Sequence, residues 1–97
     1  PKLVEFIVGT AGTSTSMFSS SNGTTDGTTH HCTYYASDTV SEVSGGSFTD
    51  GTLIKIVHPN GTTQHTASFS GMTSTGITLS WVVGGAWGVN GIARCFG

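Results

Sequence analysis

No stretch of this chain repeats apolar residues at i, i+3, i+4 and i+7 over three turns, and that absence narrows the possible folds more than any motif. Strong helix formers are scarce, while Gly and β-branched Thr occur throughout. What remains are apolar runs of strand length, separated by Gly, Asn and Asp. That pattern predicts an all-β chain: one antiparallel β-sandwich or barrel of about six to eight strands, with no substantial helix. The Ser, Thr and Gly bias shows no break along the sequence, so residues 1–97 are expected to form a single β domain.

The strands are legible to different degrees. Leu3 to Val8 is apolar nearly throughout and is expected to be covered on both faces. Ile77 to Val83 alternates cleanly, with Ile77, Leu79, Trp81 and Val83 on one side. Trp87 to Phe96 closes the chain, with Gly88 and Gly91 marking a bulge or a close approach. The hairpin Thr52 to Ser70 is the best defined. A two-residue turn at Asn60-Gly61 sets His58 opposite Thr63, Ile56 opposite His65, Ile54 opposite Ala67 and Thr52 opposite Phe69. Ile54, Ile56, Ala67 and Phe69 then form a core face, with Leu53, Lys55, Val57, Gln64, Thr66 and Ser68 on the other. Thr28 to Ala36 reads as a further strand, and Val40 and Val43 as a weak segment closed by Gly45-Gly46. Residues 9–27, rich in Ser, Thr and Gly, read as a long loop or arm anchored by Met17 and Phe18, or as cover for a short Ser/Thr strand. Asn22-Gly23-Thr24 and Asn60-Gly61-Thr62 match the glycosylation acceptor pattern, but Asn-Gly favours the reading as turns.

Charge excludes several functions. Three scattered cations, Lys2, Lys55 and Arg94, cannot form the basic stripe that binds nucleic acid. No apolar run is long enough for a membrane-spanning helix, so no membrane insertion is expected. Sparse charge and abundant hydroxyls point to an extracellular or virion-surface location, outside a reducing cytosol. There a disulfide between Cys32 and Cys95 would persist. It would close a loop of about 64 residues and stabilise the fold by roughly 4 kcal/mol.

Catalytic patterns are absent. No Gly-x-Ser-x-Gly elbow occurs, and His31 and Cys32 would point to opposite faces of a strand. The five carboxylates match neither a glycosidase pair nor a calcium loop, and Asp26 and Asp50 precede Gly in turn-like dipeptides. Neither Gly45-Gly46 nor Gly84-Gly85 is followed by the Lys and Ser/Thr of a phosphate loop. His30, His58 and His65, with Cys32, are weak candidates for zinc, but they lack tight ligand spacing, so neither metal nor cofactor is expected. Repeated Thr-x-Thr spacing for an ice-binding face is also missing.

Two functional classes remain. The first is a non-enzymatic structural or assembly protein whose strand edges pair with other copies or other structural subunits. In composition the chain resembles the small β proteins that decorate phage capsids or form tail and fibre modules. The second is a lectin-like module for carbohydrate or cell surfaces. Its binding residues would be Trp87, set among glycines on a loop, and Tyr34 or Tyr35, which alternate across a strand so that one of them can face solvent.

Overall fold

A computed structural model describes residues 2–11, 17–38, 42–85 and 87–97. They form eight strands and no helix: β1 (Leu3–Ala11), β2 (Met17–Thr25), β3 (His30–Asp38), β4 (Val43–Phe48), β5 (Thr52–Val57), β6 (Thr63–Met72), β7 (Ile77–Val83) and β8 (Gly88–Phe96). All pairings are antiparallel. Sheet A has the order β4-β3-β2-β1-β8 and sheet B the order β5-β6-β7. The result is a sandwich-like all-β domain, as the punctuation of the sequence predicts.

The two sheets meet through an unusual contact. Along β5 the even-numbered backbone groups pair with β6, through Ile54–Ala67 and Ile56–His65. The odd-numbered groups point at the inner surface of β2. Lys55 N–H donates to Ser21 Oγ (3.0 Å) and Val57 N–H to Ser19 Oγ (3.2 Å). The Leu53 carbonyl presses on Gly23, where an added Cβ would overlap it. β5 therefore stands edge-down on β2, and both of its faces are buried. Ile54 and Ile56 pack with Val4, Phe6 and Val8 of β1, while Leu53 and Val57 are fully enclosed on the opposite face. A strand edge would normally leave unpaired backbone groups; here buried serine hydroxyls satisfy them.

This arrangement corrects several expectations. Much of the expected arm at 9–27 is regular strand: β1 continues to Ala11, and β2 is the concealed Ser/Thr strand. Residues 12–16 lie outside the described residues. Asn22-Gly23 is no turn but the middle of β2, where Gly is required by the approach of β5. Gly45-Gly46 lies inside β4 and does not close it; a Cβ at Gly46 would meet the Tyr34 ring. Val40 lies outside the described residues. In the β5–β6 hairpin, Gly61 N–H donates to the His58 carbonyl (2.8 Å), so Pro59 and Asn60 occupy the centre of the turn. Only Gly61 is left-handed there (φ 93°). The fixed φ of Pro59 suits the first central position of a common turn, which displaces the expected two-residue Asn-Gly form. The pairs Ile56–His65 and Ile54–Ala67 are as expected, while irregularities shift the two ends to Val57–Thr63 and Thr52–Ser68.

The expected disulfide is absent. Cys32 and Cys95 are both free thiols, the first buried and the second exposed. Sheet order explains this. Cys32 is on β3 and Cys95 on β8, with β2 and β1 between them. Three strand spacings make about 14 Å, whereas a disulfide needs Cα atoms within about 7 Å.

Candidate functional site

β1 is not covered on both faces. Val4, Phe6 and Val8 are buried under sheet B, but Leu3 and Ile7 are exposed on the outer side, where none of the described residues forms a covering layer. The same imbalance is stronger at β8. Val89, Gly91, Ala93 and Cys95 sit opposite Thr10, Val8, Phe6 and Val4, so they share the inward side of sheet A. Yet Gly91, Ala93 and Cys95 are exposed. On sheet B the inward side of β7 carries Ile77, Leu79, Trp81 and Val83, and Trp81 and Val83 remain 47% and 70% exposed. Sheet B covers β1 but leaves the inward side of β8 largely open. The result is an open apolar cleft of about 240 Å³. Phe6, Val8 and Ile54 line its inner part, with Leu79 and Trp81 on one wall and Val89 and Ala93 on the other.

Both strands bounding the cleft are sheet edges among the described residues. β8 pairs with β1 over nine successive positions without a bulge. It contains no Pro or Lys, and its one charge, Arg94, is engaged on the outer face with Glu5 (3.4 Å). β7 carries no charge at all. The usual guards against edge pairing are thus missing from β8. The total accessible surface, 5283 Å², is close to the roughly 5,200 Å² expected of a folded chain of this mass. The apolar exposure is therefore local and does not reflect a loosely packed chain.

The residues singled out from sequence are dispersed. Trp87 does not stand free. It is half-buried against the core, its ring lies 5.3 Å from that of His58, and its carbonyl accepts a hydrogen bond from His65 Nε2 (2.6 Å). Tyr34 faces inward, stacked on Phe48 at 5.6 Å, with Lys55 Nζ over both rings. Tyr35 alone of the three presents its ring to solvent, on the outer face of sheet A. His30 bonds with Thr25 Oγ1 (2.7 Å) and packs on Phe69. Among the described residues no three His, Cys, Asp or Glu side chains come together as a metal site. Burial pushes the Cys32 thiol above its ordinary pKa, so it stays protonated beside Ser21. Backbone N–H groups of Thr29 and Thr28 hold the Asp26 carboxyl below the usual range, and Thr52 does the same for Asp50. Both carboxylates act as turn caps.

Comparison with known proteins finds no matching family model, curated protein or solved structure.

Sequence reasoning missed the cleft because alternation along β7 tells which side of a strand is apolar, not whether anything covers it. The available signal was β8 itself. Apolar residues on both faces of a strand, here Val89 and Ala93 inward and Ile92 and Phe96 outward, call for cover on both sides of the sheet.

Proposed function

We propose that this chain is a non-enzymatic structural subunit that assembles with copies of itself, as a component of an extracellular or virion surface such as a capsid decoration or a tail or fibre module. The observation that carries the reading is the uncovered cleft between β7 and β8, flanked by an unguarded strand edge. Its occupant is a second copy of the chain. Antiparallel pairing of β8 with a two-fold-related β8 extends sheet A across the interface and brings the two clefts together. Such a contact meets itself, so it must avoid like charges. β8 carries a single charge, and Arg94 faces its own copy only in the one register centred on it. Every other register is free of direct repulsion.

The test is sedimentation velocity on the wild type and on Ala93→Glu, a substitution at an exposed position that places a carboxylate in the cleft. The wild type is expected as a dimer or a higher closed oligomer at tens of micromolar. The variant is expected as a folded monomer whose melting temperature, unlike that of the wild type, does not depend on protein concentration. A wild type that stays monomeric at hundreds of micromolar, or an oligomer indifferent to Ala93→Glu, contradicts the reading.

A further inference from the structure

The outer face of sheet A carries a second feature, on the opposite side of the sheet from the cleft. β2 and β3 pair in a register that sets Ser20 opposite Tyr35 and Asn22 opposite Thr33. These side chains share the solvent face and surround a shallow depression of about 120 Å³. Tyr35 is 44% exposed, and its neighbour across β4 is Gly45. A Cβ at Gly45 would lie 3.6 Å from Tyr35 Cδ2, so glycine leaves that flank of the ring open. Phe18, 52% exposed, meets Tyr35 at 5.9 Å and a tilt of 39°, forming an angled aromatic wall.

We infer that this depression binds a single neutral sugar ring. Three features select that ligand class. First, a half-exposed aromatic ring offers a flat apolar surface to the C–H face of a pyranose. Second, the hydroxyls of Ser20 and Thr33 and the amide of Asn22 supply both donors and acceptors. Asn22 and Thr33 are exposed and Ser20 is partly so, which leaves their polar atoms accessible to a ligand. Third, no charged side chain lines the depression, which gives an anionic sugar or a phosphate nothing to pair with. One residue step of two along each strand and one strand spacing give the patch a footprint of about 5 by 7 Å. One six-membered ring covers that area. The inference does not depend on self-association, although an oligomer would present several such sites and raise avidity for a glycan surface.

The experiment is a ¹H–¹⁵N NMR titration of the full chain with neutral methyl glycosides of the common hexoses and N-acetylhexosamines, up to tens of millimolar. Shifts are expected to cluster at Ser20, Asn22, Thr33 and Tyr35 for at least one of them, with millimolar affinity. Tyr35→Ala should weaken that binding by at least about tenfold, while Tyr35→Phe retains the stacking surface and most of the affinity. Asn22→Ala provides a second variant, and unchanged spectra away from the site establish that each variant folds. The absence of shifts with every neutral glycoside overturns the inference. So do shifts that survive Tyr35→Ala, or binding of sialylated or sulfated sugars alone.

Discussion

Gly23 shows how a single residue type can be dictated by an element far away in sequence. It lies mid-strand, where glycine ordinarily weakens a sheet. The Leu53 carbonyl occupies the space a side chain would need. Gly23→Ala is therefore expected to destabilise the domain by about 3 kcal/mol, the upper end of the usual cost of overpacking, because backbone on both sides must shift. Urea denaturation gives the value. A loss near that of an ordinary strand Gly→Ala change would mean that β5 does not rest on β2. Gly91 follows the same logic at β8, where an added Cβ would overlap the Ile7 carbonyl. From sequence alone Gly91 reads as a bulge or a close approach, and the close approach is what the unbroken β1–β8 register leaves, whereas Gly23 is misread because Asn precedes it. The local Asn-Gly preference for turns is real, but tertiary contact overrides it.

At the scale of elements, the fold turns on β2 and β5. The inward positions of β2 are Ser19, Ser21, Gly23 and Thr25, all buried. A strand is ordinarily recognised by alternating apolar and polar residues, and this one has small polar residues on its core side. That is why its location inside the 9–27 segment was not legible, although a Ser/Thr strand there was conceivable. The reason is physical: an upright strand presents backbone to its neighbour, and backbone needs hydrogen-bond partners more than apolar contacts. By contrast, the β5–β6 register was readable, since Ile54, Ile56 and Ala67 obey ordinary cross-strand rules. The burial of Leu53 and Val57 was not, because two-faced burial depends on the orientation of sheet B. Ser21→Ala and Ser19→Ala each strand a buried N–H and are expected to cost about 1–3 kcal/mol. Ser20→Ala, on the outer face of the same strand, should stay within about 0.5 kcal/mol. Equal effects at all three positions in chemical denaturation would argue against the hydroxyl-to-backbone bonds.

At the scale of the whole molecule, the domain is well closed along β1, β2, β3 and β5 and open between β7 and β8. The candidate cleft was legible only as its parts. The apolar faces of β7 and β8 can be read in the sequence, but the gap between them depends on sheet order and on how far sheet B reaches across sheet A. The same topology separates Cys32 from Cys95, a distance that counting cysteines cannot reveal. Of the tyrosine pair expected to offer one exposed ring, Tyr35 is the one that faces solvent; Tyr34 packs with Phe48 and Lys55, and Trp87, expected on an open loop, is drawn into packing by His58 and His65. Self-association through the cleft depends above all on β8 acting as an interface edge. Residue-resolved amide hydrogen exchange, measured at low and high protein concentration, tests this directly. The outward-pointing amides of β8 are predicted to become protected as concentration rises, with those of the opposite edge strand β4 unchanged. Exchange in β8 that is independent of concentration, or protection that arises at β4 instead, would contradict it.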